Sequence, residues 1–175
     1  MGRLIVSTQM TVDGVIDVGE WYVAEGEHDR AGKDQLGHAS AVLLGRKTYE
    51  GLAAYWSPLK DDWANLINPV PKYVASRTLH GPLEWNATLL EGDATDAVSR
   101  LKAELPSDLL IYGCGELARS LLATALVDEL RFWVHPALWG SGERPLQGEA
   151  QNRLRLLGSE VFDSGVTLLR YAPIH

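Results

Sequence analysis

The feature that most constrains this chain is an apolar run that stops at a glycine turn. Residues 109–112 read Leu-Leu-Ile-Tyr, which is typical of a strand buried on both faces, and residues 113–115 read Gly-Cys-Gly. A helix pattern follows, because apolar residues recur at spacings of three and four: Leu117, Ala118, Leu121, Leu122 and Ala125. Residues 131–135 predict the next strand. Such a βαβ-like unit directs backbone N–H groups and a helix N-terminus to its turn, which is a site for an anion such as phosphate.

The glycine turn alone does not establish nucleotide binding. Gly113, Gly115 and Ala118 fit the dinucleotide fingerprint, but such patterns are common and an ordinary strand-to-helix turn is the alternative. The fingerprint also requires an acid at the end of the next strand, where this chain has His135 and Pro136. The pattern therefore indicates nucleotide binding by a different topology.

A second buried strand, predicted at residues 40–44, also runs into a glycine. Gly45 is followed by Arg46, Lys47 and Thr48 at the start of a predicted helix. This turn is therefore a better phosphate site than the one at Gly113. The alternative is a solvated, charged first turn, which is disfavoured because cations are unfavourable at the positive end of a helix dipole unless an anion binds there.

A third strand, predicted at residues 72–75, ends at Ser76 and Arg77. Arg77 alone is weak support, since a surface ion pair is the alternative. Ligands of open α/β sheets bind beyond the carboxyl ends of the strands, so three such ends predict one extended, phosphorylated ligand.

Composition narrows the class of protein. The chain has 175 residues and 46% hydrophobic residues, which predicts a single domain spanning residues 1–175. A formal net charge of -7 argues against nucleic acid or a membrane surface as partner and favours a small molecule. The single Cys114 predicts a reducing, cytoplasmic location, and no His or Cys spacing predicts a metal site.

The remaining elements are predicted more coarsely. Residues 56–71 are predicted as a long irregular connection. The polar segment 15–26 carries Trp21 and Tyr22, which either form an exposed lid or pack beneath the loop. Other predicted elements are strands at 4–10, 88–90, 154–157 and within 159–171, and helices from about 27 to 39 and over 93–104.

The order of these motifs resembles a known family. Thr-Val-Asp-Gly at 11–14, Leu-Leu-Gly-Arg-Lys-Thr-Tyr-Glu at 43–50, Ser-Arg-Thr at 76–78 and Ile-Tyr-Gly-Cys-Gly-Glu-Leu at 111–117 resemble the dihydrofolate reductase-like superfamily. Within it, the chain looks like the C-terminal reductase domain of bacterial riboflavin biosynthesis enzymes. The resemblance implies a three-layer α/β fold, with a mostly parallel twisted sheet and helices on both faces.

The same resemblance implies the cofactor and its site. In that family NADPH binds at the positions matched here by three segments, which contain Gly45, Arg46, Lys47 and Thr48; Ser76 and Arg77; and Gly113, Cys114, Gly115, Glu116 and Leu117. The expected activity is an NADPH-dependent reduction of a pterin-, pyrimidine- or similar heterocyclic small molecule. A true dihydrofolate reductase and a non-catalytic nucleotide-binding module are the alternatives.

An acid beside the substrate is needed to protonate nitrogen after hydride transfer to a C=N bond. In dihydrofolate reductases this acid lies near the start of the first long helix, a position that resembles Asp29. Glu27 can substitute for it, and Asp29 is alternatively only a helix cap. Asp13 is a rival, although an Asp-Gly pair is more often a turn; with Trp21 and Tyr22 it is expected to contact the substrate.

Aromatic residues late in the chain predict self-association. Phe132, Trp133, Leu138 and Trp139 lie on one strand and its end, which is more apolar surface than a small monomer readily hides. Members of the resembled group are commonly homodimers, so we expect a homodimer. The alternative is that these rings fill the core of a monomer.

Overall fold

A computed structural model of the chain describes residues 2–146 and 151–174. Within them lie eight strands and five helices. In chain order these are β1 (Leu4–Thr11), α1 (Gly26–Gly37), β2 (Ala39–Gly45), α2 (Arg46–Trp56), α3 (Asp62–Ile67), β3 (Lys72–Ala75), β4 (Ala87–Leu89), α4 (Ala94–Glu104), β5 (Asp108–Tyr112), α5 (Glu116–Ala123), β6 (Glu129–His135), β7 (Arg153–Val161) and β8 (Thr167–Ile174). None of these helices is long and apolar enough to cross a bilayer.

All eight strands belong to one sheet with the order β4-β3-β2-β5-β1-β6-β8-β7. The six strands from β4 to β6 in this order run parallel to one another. The β6-β8 and β8-β7 pairs are antiparallel. The connection from β1 leads to β2 on one side of the sheet's centre, whereas the connection from β5 leads to β6 on the other side. The carboxyl ends of β1 and β5 therefore flank the point where the strand order reverses, which is where open α/β sheets bind ligands.

Helices cover both faces of this sheet, which confirms the predicted three-layer α/β fold. One face packs on α4 and α5 through Val98, Leu101, Ala118, Leu121 and Leu122. The other face packs on α1, α2 and α3 through Leu36, Tyr49 and Ile67. The apolar runs of β1, β2 and β5 are buried because each strand contributes to both layers.

The predicted irregular connection at residues 56–71 is wrong in part, because it contains α3. Asp61 caps this helix by accepting a hydrogen bond from the backbone nitrogen of Ala64 at 2.8 Å. The sequence signal for α3 is Asp61, because an aspartate just before an apolar segment is a typical N-cap residue.

Three further predictions need local correction. Ala125 is exposed, has a φ of 58° and follows the end of α5, so it does not belong to the buried face of that helix. Strand β7 runs through Leu157 to Val161 as one element, with a register shift between Leu156 and Gly158 where the sequence suggested a break. A bulge absorbs a residue without ending the strand.

Strand β6 begins two residues before the predicted strand at 131–135, and Glu129 is its buried first residue. Its carboxylate accepts hydrogen bonds from Arg3 Nη1 at 3.0 Å and from Arg131 Nε at 2.7 Å. A buried carboxylate needs such partners to offset the loss of hydration. These contacts fix the start of β6 against the start of β1.

Candidate functional site

The three predicted strand ends lie side by side at the carboxyl edge of the sheet. In the sheet register Gly45 pairs with Ala75, and Leu43 pairs with Ile111. A Cβ atom added to Gly45 would lie 3.9 Å from the Cβ of Leu117, so the turn after β2 touches the first turn of α5. The structure therefore brings the three predicted cofactor segments together along one edge.

Two helices begin at this edge without a side-chain cap. The N-cap residues of α2 and α5 are Gly45 and Gly115, and neither position offers a side chain to the first-turn N–H groups. By contrast, Asp61 and Asp93 cap α3 and α4 with their carboxylates. The N–H groups at the start of α2 and α5 are thus available to an anionic ligand.

The cationic side chains near the start of α2 are exposed. Arg46 lies 3.5 Å from Glu50 on the next turn, which is a weak, solvent-exposed pair. Lys47, Thr48 and Arg77 are exposed and make no side-chain hydrogen bond or ion pair with residues 2–146 or 151–174. Two uncommitted polar side chains at the start of α2 and a third after β3 fit a phosphate better than they fit a structural role.

Ser76 differs from these three residues. Its Oγ accepts hydrogen bonds from the backbone nitrogens of Thr78 and Leu79, both at 3.1 Å. Ser76 Oγ also lies 3.4 Å from Thr78 Oγ1, so the serine hydroxyl fixes the turn that presents Arg77.

The turn after β5 has its own geometry. Gly113 has a φ of 91°, which a residue with a Cβ rarely adopts, and Cys114 is buried with its Sγ 2.6 Å from Thr8 Oγ1. Burial raises the pKa of the Cys114 thiol to about 11, so the side chain stays protonated. Glu116 in the first turn of α5 is exposed and opposes a second anion there, so the phosphate preference lies with α2.

This edge fits NADPH. The uncapped start of α2 with Lys47 and Thr48, and the exposed Arg77 on the next strand end, supply the N–H groups, hydroxyl and cations that phosphate oxygens require. The turn at Gly113 allows a flat group to approach the backbone closely.

Asp29 is not a helix cap. Its Oδ1 accepts a hydrogen bond from Trp63 Nε1 at 2.6 Å, and its Oδ2 lies 3.0 Å from Lys33 Nζ. The hydrogen bond to Asp29 raises the pKa of Lys33. Glu27, the substitute acid, is exposed and lies 4.0 Å from Arg30. Of the two acids, only Asp29 is held by a partner from another helix.

Trp21 packs beneath the loop rather than forming an exposed lid. It is 7% exposed, its Nε1 donates to the Asp17 carbonyl at 2.9 Å, and its ring lies against His135. Tyr22 is partly exposed and makes no side-chain hydrogen bond within the described residues. Burial, followed by the nearby charge of Asp29, raises the pKa of Tyr22 to about 12. The phenol of Tyr22 therefore lies within electrostatic reach of the Asp29 carboxylate.

Asp13 forms a turn and joins two loops. Its carboxylate accepts hydrogen bonds from Thr11 Oγ1 at 2.6 Å and from the backbone nitrogens of Trp139 and Gly140, the latter at 2.7 Å. These bonds lower the pKa of Asp13 to about 2. These contacts agree with the alternative interpretation, in which Asp13 is a turn residue. The contact of Asp13 with a substrate stays a prediction.

Lys33, Trp63 and Tyr112 are residues of this region that the sequence analysis did not single out. Lys33 stands four residues after Asp29, a spacing that places the two on one helix face and could have been noticed. Trp63 lies in α3, within the segment that is predicted to be irregular. Tyr112 was treated as part of an apolar strand.

His135 closes the base of the loop that carries Trp21 and Tyr22. Its Nε2 lies 2.6 Å from Gln9 Oε1, and its ring contacts those of Trp21, Tyr22 and His28. Burial, followed by the neighbouring His28, lowers the pKa of His135 to about 4. The ring is therefore neutral in the folded protein at neutral pH.

The depressed pKa of His135 predicts acid sensitivity. An unfolded chain binds a proton at this histidine below its ordinary pKa of about 6.5, whereas the folded chain does not until about 4. Stability should be constant above pH 6.5 and decrease towards pH 4 by at most about 1.4 kcal/mol per pH unit. Thermal unfolding over this range should show a shallower decrease for His135→Gln. The exposed His80→Gln is the control, and an unchanged slope in both variants would contradict the assignment.

Known proteins with related sequences and folds agree with this description. The Bacillus subtilis protein YyaP, which is uncharacterised, is 29% identical over 97% of this chain and 94% of its own length. A solved structure assigned to riboflavin biosynthesis in Shewanella sp. PV-4 superposes with a TM-score of 0.76 at 22% identity, covering 100% of both chains. A pyrimidine reductase-like protein from Corynebacterium diphtheriae gives a TM-score of 0.68 at 15% identity, covering 99% of this chain and 92% of that one.

The match to a family model is more specific than the shared fold. Residues 3–168 match the model of the RibD C-terminal domain, which confirms the resemblance read from the sequence motifs. This range includes the ends of β2, β3 and β5 and the loops that carry Asp13, Trp21 and Tyr22. The chain therefore belongs to the RibD C-terminal domain family.

Proposed function

We propose that this protein is an NADPH-dependent reductase that acts on a pterin-, pyrimidine- or similar heterocyclic small molecule. The observation that carries the proposal is the uncapped start of α2, with exposed Lys47 and Thr48, beside the exposed Arg77 at the end of β3. The family is that of riboflavin-type reductases, which supports a reductase activity. The pyrimidine reductase-like name of one structural relative supports the substrate class.

In this proposal the protein binds and orients the cofactor with side chains from three strand ends. Lys47 and Thr48, together with the first-turn N–H groups of α2, would hold phosphate oxygens. Arg46 and Arg77 would bind the additional ribose phosphate. NADPH bound there supplies a hydride, and the turn at Gly113 places its nicotinamide near the ends of β5 and β1.

The contacts around Asp29 support a catalytic protein over a non-catalytic binding module. Asp29, Lys33 and Trp63 hold one another in a fixed arrangement that the adjacent cofactor edge does not need. Each oxygen of Asp29 accepts one bond and keeps a lone pair for a substrate N–H group or a water. Asp29 is our proposed proton donor, acting directly or through water, and Lys33 supplies the neighbouring positive charge.

The cofactor assignment predicts a preference for NADPH over NADH. Charge-assisted hydrogen bonds contribute about 1.5–3 kcal/mol each, so Arg77→Ala should weaken NADPH binding about ten-fold or more while NADH binding changes little. Fluorescence titration with both nucleotides measures this. Arg100→Ala, at an exposed arginine on α4, is the matched control. Equal losses for the two cofactors would refute a phosphate contact at Arg77.

The proton-donor assignment predicts a specific defect in Asp29→Asn. The amide keeps an oxygen for Trp63 Nε1 but cannot donate a carboxyl proton, so turnover should fall by about 10²–10⁴ and recover partly at low pH, where solvent protonates the substrate. NADPH affinity should not change. Steady-state kinetics with the best compound from a panel of pterins and uracil derivatives tests this. Asp34→Asn, at an exposed acid on the same helix, is the control; retained turnover with lowered thermal stability would show that Asp29 is structural.

We also propose that the protein is a homodimer, although the contributing surface differs from the expected one. Trp133 is buried against Phe162, Val166 and Leu168, so that ring belongs to the core of one chain. Leu138 remains 76% exposed. The apolar side chains of the edge strand β7 are also exposed: Leu154, Leu156, Leu157 and Val161.

A second copy is the occupant that suits this edge. Strand β7 has nine residues and ends the sheet, and no strand in the described ranges pairs with its outer side. Two such edges related by a two-fold axis can pair antiparallel and cover each other's leucines.

Light scattering at micromolar concentration should give the mass of two chains. Leu156→Lys, which places a charge at the proposed contact, should give one chain with unchanged secondary structure. A single-chain mass for the unmodified protein would refute the dimer.

A further inference from the structure

The hydroxyl group of Tyr112 is buried without a partner. Among the side chains of the described residues, its oxygen is the buried polar atom that makes no hydrogen bond. Buried polar groups are almost always paired, because an unpaired one loses its hydration without compensation. An exception at the end of a central strand needs a functional explanation.

The position of Tyr112 connects it to the candidate site. It is the last residue of β5, directly before the turn at Gly113, and in the sheet register it lies beside Ser7 of β1. It therefore stands at the point where the strand order reverses. The ring faces the layer of α1, α2 and α3, which is the layer that carries Asp29.

Its polar neighbours do not satisfy the hydroxyl. Gln35 lies close enough to lower the pKa of Tyr112, against the larger raising effect of burial, but no hydrogen bond of acceptable geometry joins the two side chains. The amide is engaged elsewhere: Nε2 donates to Ser7 Oγ at 2.9 Å, and Oε1 lies 3.0 Å from Arg131 Nη1 and 3.3 Å from Ser7 Oγ. Trp133 Nε1 donates to the same Ser7 oxygen at 3.0 Å. These bonds hold Gln35 and Ser7 in place and leave the O–H of Tyr112 without an acceptor.

Tyr22 is a further neighbour of Tyr112, on a loop. Its phenol acts electrostatically on Tyr112 and is itself acted on by Asp29, so the three side chains are near one another. Tyr22 lies on the connection between β1 and α1 and has no side-chain hydrogen bond within residues 2–146 and 151–174.

We propose that the Tyr112 hydroxyl donates a hydrogen bond to a carbonyl oxygen of the substrate, and that the substrate is a planar heterocycle with a lactam edge. The inference rests on the proposed reductase function and specifies its substrate. Tyr112 offers a donor and Asp29 offers a carboxylate acceptor, which together match the C=O and N–H of a lactam. A heterocycle that carries amino groups in place of carbonyls lacks the acceptor that Tyr112 requires.

The test compares two pteridines bound to the protein with NADP⁺ present, so that no turnover occurs. Lumazine carries lactam carbonyls, and 2,4-diaminopteridine carries amino groups in their place. The unmodified protein should bind lumazine the more tightly. Tyr112→Phe should weaken lumazine about ten-fold and change 2,4-diaminopteridine little, because only the former uses the hydroxyl. Tyr171→Phe, at a tyrosine of β8, should change neither.

Thermal unfolding provides the readout that does not depend on the ligand. An unpaired hydroxyl contributes nothing to the fold, so Tyr112→Phe should unfold at the same or a higher temperature. A lower unfolding temperature would show that the hydroxyl is bonded within the protein and would overturn the inference.

Equal lumazine affinity in the unmodified protein and in Tyr112→Phe, or no lumazine binding to the unmodified protein, would also overturn it. Neither result affects the proposed function if NADPH still binds. Failure to bind NADPH would instead refute the proposed function.

Discussion

The position of β1 between two parallel neighbours is the constraint on which the rest of the structure depends. Leu4, Ile5 and Val6 are fully buried because helices cover both faces of the strand. Parallel neighbours require crossover connections, and the two that start at β1 and β5 run in opposite directions over opposite faces. The carboxyl ends of the central strands therefore open into a crevice with helix N-termini on either side.

The two sides of this crevice are stabilised in different ways. On the side of β2 and β3, the polar groups are exposed and uncommitted, as Lys47 and Arg77 show. On the side of β1 and β6, the loops are joined by hydrogen bonds, such as those of Asp13 to the backbone of residues 139 and 140. The phosphates of a charged ligand need polar side chains that are not already bonded, whereas its reacting ring needs rigid surroundings. This difference between the two sides suits a cofactor that spans both.

Direct contacts stabilise the charged groups around Asp29. Removing a carboxylate and an ammonium from water is costly, and the Asp29–Lys33 pair offsets this by direct contact and by the indole N–H of Trp63. Such arrangements are common at functional sites because they keep a charge in a defined place. Tyr112 differs in that its partner is missing from the protein itself.

Residue types alone predict most of the strands, the glycine turns and the family. Apolar runs of four or five residues ending at Gly45 and Gly113 require little context, since burial and backbone freedom are local consequences of residue type. The motifs at the strand ends therefore predict the candidate cofactor residues from the sequence alone.

Only the tertiary structure decided what each polar side chain contacts. Asp13 and Asp29 are both acids in turns or first helical turns, and the sequence could not separate them. In the structure Asp13 accepts a hydrogen bond from the backbone nitrogen of Gly140, whereas Asp29 contacts Lys33 and Trp63. The same holds for Trp133, which is buried by Phe162, and for Tyr112, whose missing partner is apparent only once its neighbours are placed. The physical reason is that hydrogen bonding and burial depend on residues distant in the chain, whereas strand and turn propensities do not.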